Sequence, residues 1–255
     1  MARGQGRDAG RRPAALVALA AALAAAGCAH FLPPEQPPAY FWIVHSRDRS
    51  DSDRVMDQHR HPEKLLEFWN VRPGMRAADL GAGDGYFAEL LARVVGPAGK
   101  VYAQVGRDES RRRAARFAAR LKAPVMRGVV HVTREFENPL PPDAGGLDLV
   151  TSNFIYHALL RSQTDRARMN RAVFAALKPG GAYALTDYSG RPGGGDAQAA
   201  LQRTDIVLLR KEVETAGFRF AGEAPFLHNA ADPRDVPVEQ LRGRADAFVL
   251  KFVKP

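Results

Sequence analysis

The fold this sequence predicts is an α/β domain on a mostly parallel sheet with helices on both faces, and three observations predict it. From Glu63 onward, apolar runs of strand length alternate with runs of helical spacing. The turn after the first of those strands carries three glycines in five positions, Gly81-Ala82-Gly83-Asp84-Gly85. A chain of 255 residues, 45% hydrophobic and 25% charged, has ample material for one large α/β domain or two small ones, and nothing in it suggests a fibre or a disordered chain. Such alternation closes right-handed crossovers, which leave ligand sites beyond the carboxyl ends of the strands.

The amino end is built differently. Arg3, Arg7, Arg11 and Arg12 precede a charge-free Ala, Leu and Val run, Ala14 to Ala26, too short to span a bilayer comfortably. The run ends Ala25-Ala26-Gly27-Cys28. This order resembles a bacterial lipoprotein signal peptide, in which the cysteine becomes the lipid-bearing amino terminus. The resemblance implies residues 1–28 as signal, lipid attachment at Cys28 and a location on the periplasmic side of a membrane. An ordinary signal peptide, an uncleaved anchor or a cytoplasmic protein are the alternatives. Cys28 is the only cysteine, so the mature domain has no disulfide and no thiolate chemistry. Residues 29–45 are rich in proline and read as an extended tether, with the domain spanning 46–255.

The four arginines of the leader account for part of the formal charge of +9. Much of the rest lies in Arg107 to Lys122, a basic stretch with apolar residues on one side, suited to an anionic lipid surface or, more plainly, to a solvated outer helix. Aromatic residues are too sparse among these bases to argue for nucleic acid.

The elements follow in order. Ser46 to Arg60 interleaves Arg and Asp as a lead-in helix. Pro62 to Trp69 is a helix with Pro in its first turn, and Asn-Val-Arg-Pro-Gly turns into the strand Met75 to Leu80. Helices are expected at Tyr86 to Val95, Ser110 to Lys122, Gln163 to Leu177 and Gln198 to Ala216. Strands are expected at 100–105, 129–133, 147–153, 182–187 and 247–253. Gly190 to Gly195 forms a loop where a lid would sit, or a plain connection. His59 and His61 lack the third ligand a metal would need.

The glycine turn lets a ligand touch the backbone, because no Cβ intervenes. Its spacing is Asp79-x-Gly81-x-Gly83-x-Gly85, whereas the dinucleotide fingerprint needs glycine where Tyr86 stands. This motif resembles the first motif of class I S-adenosylmethionine-dependent methyltransferases. Leu177-Lys178-Pro179-Gly180-Gly181, Ala216-Gly217-Phe218 and Ala247 to Pro255 resemble later landmarks of the same family, and the whole is similar to its "predicted methyltransferase" group with export signals. The resemblance implies a Rossmann-like methyltransferase fold, seven strands with an antiparallel last one, with S-adenosyl-L-methionine as cofactor and a small-molecule methyl acceptor. It places Asp79, Gly81, Ala82, Gly83, Gly85, Tyr86 and Asn153 around the cofactor, with Asp79 toward the ammonium group. At the end of the second strand the family's ribose carboxylate is absent. Gln104 stands nearby as a weaker partner, and Asp108 could fold back.

Polar residues after the fourth and fifth strands are the catalytic candidates: His157 as base, with Tyr156 and Asp187 beside it. Each has a structural alternative: His157 held at a helix start, Tyr156 in the core, Asp187 capping a loop. Three functions stay open: methyl transfer, a non-catalytic lipid-anchored protein on the same fold, and an NADP-dependent oxidoreductase in which Arg107 meets the 2′-phosphate. Nothing in the sequence fixes the oligomeric state.

Overall fold

Strand β1 (Arg76–Leu80) runs between β2 (Lys100–Val105) and β4 (Leu147–Asn153) in a computed structural model whose described residues are Met1 and Tyr40–Pro255. With β3 (Val129–Thr133), β5 (Leu177–Tyr188), β6 (Arg219–Glu223) and β7 (Ala247–Val253), the sheet has the order β3-β2-β1-β4-β5-β7-β6. All pairings from β3 through β5 are parallel, and β7 runs antiparallel to both its neighbours. The chain winds outward from β1 to β3 and then crosses back to β4, so the switch point, and the expected ligand crevice, lies between β1 and β4.

Alternation along the strands fills two cores. Ala77, Val101 and Leu149 face one side, where Leu65, Leu66 and Trp69 of the helix Pro62–Trp69 (α3) pack with the helix Tyr86–Val95 (α4). Ala78, Tyr102 and Val150 face the other, against the helices Tyr156–Arg161 (α6), Arg166–Ala176 (α7) and Ile206–Thr215 (α8).

Several boundaries depart from the expectation. The folded chain takes in the segment from Tyr40, ahead of Ser46: the short helix Phe41–Val44 (α1) buries Val44, and the Tyr40 hydroxyl donates to the Val71 carbonyl at 2.7 Å. The helix expected at Gln163 starts only at Arg166, because Gln163 is left-handed and Asp165 caps the new start through the Arg168 N–H; α6 forms ahead of it. The helix expected over Gln198 to Ala216 is broken at Gln202, also left-handed, and its second half is capped by Asp205. The neighbour of that break, Arg203, is fully buried on Asp232, an ion pair no local pattern announces. The fifth strand starts at Leu177, which pairs with Leu147 before a register shift. Cys28, the signal segment and the tether up to residue 39 lie outside the described residues.

Candidate functional site

Three glycines with positive φ shape the turn from β1 into α4: Gly81 at 66°, Gly83 at 56° and Gly85 at 88°. Their reasons differ. A Cβ on Gly81 would stand 2.6 Å from Ile155 Cδ1, and one on Gly85 would stand 2.7 Å from the Phe117 ring, so Gly85 serves helix packing and is not a ligand contact. A Cβ on Gly83 would meet nothing closer than 3.9 Å and would project into an open cavity of about 310 Å³, which Gly81 and Ala82 also line. Gly83 is the position where bare backbone faces a ligand space.

Under this cavity sits an incomplete polar set. Asp79 is buried, with one carboxylate oxygen accepting from Thr151 Oγ1 at 2.9 Å and the other without a partner. Burial pushes its carboxyl up to about 7, against the opposing pull of Thr151, the nearby Asn153 amide and Arg60. Asn153 lines the cavity, and neither its amide nitrogen nor its carbonyl oxygen has a well-formed hydrogen bond. Buried polar groups left unpaired are costly, and they mark where a bound molecule completes the set. A carboxylate and an amide with both functions free suit an α-amino acid end, ammonium to Asp79, so this half of the site fits the methionine part of S-adenosylmethionine.

The wall opposite comes from the helix Asp51–Arg60 (α2), whose residues alone suggest a solvated, salt-bridged lead-in, while the family resemblance implies a segment covering the cofactor site; Ser52, Asp53, Met56 and Arg60 line the cavity. Asp53 makes a two-pronged pair with Arg120 at 2.6 and 2.9 Å. Burial opposes its charge, yet Arg120 holds its carboxyl below the usual range. Arg120 belongs to the basic helix Arg111–Arg120 (α5); it also pairs with Glu89 and donates to the Asp84 carbonyl, joining α2, α4, α5 and the glycine turn. Asp57 accepts from Tyr86 Oη at 2.6 Å and is gripped by Arg49. Tyr86 therefore lines the cavity with its ring while its hydroxyl is spent on α2. Arg60 ends the helix with its guanidinium over the rings of Tyr86, Phe87 and Phe154, at 4.7, 5.2 and 5.3 Å from their centroids.

The other half of the crevice is less accommodating. Gln104 is fully buried: its side-chain oxygen accepts from the Gly81 N–H at 3.0 Å and its amide donates to the Arg134 carbonyl at 2.7 Å. Both ends are spent on holding the turn, so Gln104 is a strut and not a ribose partner. Asp108 is exposed, with its Oδ1 over Gly106, and lines a cavity of about 630 Å³ that shares Gly81, Arg113 and Ile155 with the first. Phe136, Ile155 and Leu159 give that cavity an apolar side.

The catalytic candidates lie elsewhere. Tyr156 is buried in the second core with its hydroxyl on Glu212, which is the structural alternative that the sequence left open for it. Asp187 accepts from the His157 N–H, His157 Nδ1, the Tyr188 N–H and Thr204 Oγ1, all at 2.8 or 2.9 Å, and so caps α6 and seats His157. Neither residue lines the cavities described here. The loop Gly190 to Gly195 is pinned by Gln198 and Asp205 and stands clear of the same cavities.

A second His–Asp pair was missed by sequence reasoning. His228 Nδ1 lies 2.6 Å from the buried carboxylate of Asp246, whose other oxygen is 2.8 Å from Arg234. Burial raises the Asp246 carboxyl, but the Asn229 N–H and His228 outweigh it and hold it below its ordinary value. His228 lines a third cavity, of about 430 Å³, that adjoins the first across Met56, Arg60 and Phe154. No spacing marks two residues 18 positions apart in an irregular stretch as partners.

Residues 77–181 match a family model described as a methyltransferase domain. The ubiquinone/menaquinone biosynthesis C-methyltransferase UbiE of Vibrio vulnificus is 31% identical over 127 residues, 47% of this chain and 43% of that protein. Its counterpart from Ectopseudomonas mendocina is 29% identical over 195 residues, 73% of this chain and 65% of that protein. The chain thus spans less than half the length of the first of these relatives. Among solved structures, a SAM dependent methyltransferase from Aquifex aeolicus superposes with a TM-score of 0.58 at 19% identity, over 80% of this chain and 97% of that one, a likeness of fold.

Proposed function

We propose, for a chain that carries a class I S-adenosylmethionine-dependent methyltransferase domain, methyl transfer to a small-molecule acceptor held in the cavity beside Phe154 and Tyr188. The observation that carries this reading is the unfinished polar set of Asp79 and Asn153 beneath a glycine whose missing Cβ opens onto the cavity. When bound, S-adenosylmethionine supplies a methyl group on a sulfonium, a good leaving group whose displacement depends chiefly on alignment.

The chain's own residues divide the remaining work. Asp79 and Asn153 hold the amino-acid end and Gly81 to Gly83 give it room. Asp108 offers the ribose a carboxylate in place of the spent Gln104, and Ile155 with Phe136 covers the base. Arg60 and Phe154 form the boundary between cofactor and acceptor. Where the acceptor has a proton to lose, His228 takes it at Nε2, which has no partner among the described residues, while Asp246 holds the ring through Nδ1. His157 becomes the seat of α6. The similarity to C-methyltransferases of ubiquinone and menaquinone biosynthesis supports a small-molecule acceptor. The basic start, apolar run and Cys28 support export and a lipid anchor, tested by membrane fractionation of Cys28→Ser against the parent.

A second reading, a non-catalytic protein on this fold, is favoured by one observation: β2 ends without a carboxylate and Gln104 is structurally committed. Calorimetric titration of the full chain with S-adenosylhomocysteine, and separately with NADPH, separates the readings. Methyl transfer predicts a Kd on the order of micromolar for the first and no heat for the second. Silence with both leaves the non-catalytic reading; binding of NADPH alone restores the oxidoreductase.

A further inference from the structure

The third cavity has a chemical bias of its own. Its walls include the rings of Phe154, Tyr188 and Phe226, the first two with centroids 4.9 Å apart and planes inclined by 43°. Its polar rim is basic: Arg60, Arg244, His59, His61 and His228 line it, and no aspartate or glutamate does. The carboxylate behind His228, that of Asp246, is fully buried and already matched by Arg234 and the Asn229 N–H. Arg60 has no carboxylate within salt-bridge distance among the described residues, and its charge rests against aromatic faces. Arg244 is exposed at the mouth, its side chain likewise without an ion-pair partner among them.

Flat rings on the walls favour a flat guest, which stacks on them. Unpaired guanidinium groups with no competing carboxylate favour an anionic one, since a charge-assisted bond to Arg is about twice as strong as a neutral hydrogen bond. The same field repels a cation. We propose that this cavity is the acceptor site for a small aromatic anion, a ring carrying a carboxylate or comparable acid beside the hydroxyl to be methylated, oriented with its acid toward Arg244. In the reaction the hydroxyl proton passes to His228 Nε2, an oxygen–methyl bond forms as the sulfur–methyl bond breaks, and S-adenosylhomocysteine leaves neutral at sulfur. The transfer step rests on the methyltransferase reading above; the binding site does not, since it is defined by its own walls and rim.

The test uses three probes matched in ring and hydroxyl and differing in charge: 4-hydroxybenzoate, 4-hydroxybenzyl alcohol and tyramine. Binding to the full chain is measured by calorimetry, with and without saturating S-adenosylhomocysteine. The anion should bind at least about tenfold more tightly than the neutral probe, and the cation undetectably. Arg244→Gln, an exposed position whose loss does not threaten folding, should weaken 4-hydroxybenzoate by about fivefold and leave the neutral probe unchanged. Equal binding of all three probes overturns the proposal. So does competition between 4-hydroxybenzoate and S-adenosylhomocysteine, which would put the anion in the cofactor's cavity. Binding of S-adenosylhomocysteine with no aromatic probe sinks the acceptor site alone and leaves the cofactor reading standing. Selective binding of the anion without S-adenosylhomocysteine does the reverse.

Discussion

The two halves of the crevice across β1 differ in how their polar groups are used. On the side of Asp79 and Asn153, a carboxylate oxygen and an amide are buried without a well-formed hydrogen bond, the amide near enough to Asp79 to pull its carboxyl down. On the side of Gln104, a buried amide is satisfied at both ends, by the Gly81 N–H and the Arg134 carbonyl. Both sides present polar side chains at the carboxyl ends of strands, and residue type alone would make both ligand contacts. Satisfaction separates them: a group already paired supports the fold, and a buried group left unpaired awaits a partner.

Substitutions test that division from the largest effect down. Gly83→Leu should abolish S-adenosylhomocysteine binding while the domain stays folded, because its Cβ meets no atom within 3.9 Å yet its side chain fills the cradle. The left-handed φ adds about 1–2 kcal/mol of strain, visible as a small fall in Tm. Binding that survives would put the site elsewhere. Asp79→Asn should weaken binding about thirtyfold, a loss of about 2 kcal/mol. The same change should raise the Tm of the ligand-free protein at pH 8. The folded carboxyl is raised above its unfolded value, so its stabilising contribution is present at low pH and lost as pH rises through about 7.

Gln104→Ala should act in the opposite sense, costing about 1–3 kcal/mol of stability in a denaturant titration by stranding the Gly81 N–H and the Arg134 carbonyl. Its affinity for S-adenosylhomocysteine, measured under folded conditions, should fall much less than that of Asp79→Asn. If the order of the two variants reversed in both assays, the assignment of strut and ligand would have to be exchanged. Asp108→Asn is the mildest change, expected to weaken the same ligand by about fivefold, with no change in Tm since Asp108 is exposed.

The parallel sheet with helices on both faces and the crevice at the strands' carboxyl ends were legible in the sequence, since they follow from periodicity and from a glycine turn whose backbone conformation few other residues adopt; the antiparallel last strand came from the family resemblance, and the strand order from the structure alone. Gly83 was legible from the same turn, and Asp79 from the resemblance that the turn's motif carries. The use of Gln104 was not, because its second partner is the backbone of Arg134, thirty residues on in an irregular segment. Nor were the partners of α2, whose covering position only the family resemblance implied: Asp53 and Asp57 look like solvated charges until Arg120 and Tyr86 arrive from helices whose packing only the fold decides. His157 and His228 are each held by an aspartate through Nδ1, and local pattern favoured the first because it follows a strand. Only His228 of the two lines a cavity described above, and that cavity is made by residues from five separate parts of the chain.

The most direct test of the account is whether ligand binding deprotonates Asp79. Titration with S-adenosylhomocysteine is run at pH 6 and pH 8 in two buffers of different ionisation enthalpy, for the parent and for Asp79→Asn. A carboxyl near 7 in the free protein that ionises against a bound ammonium predicts release of close to one proton at pH 6 and little at pH 8. Affinity should rise by up to about tenfold between them, with both effects absent in Asp79→Asn. Buffer-independent heats and equal affinity at both pH values in the parent would contradict it.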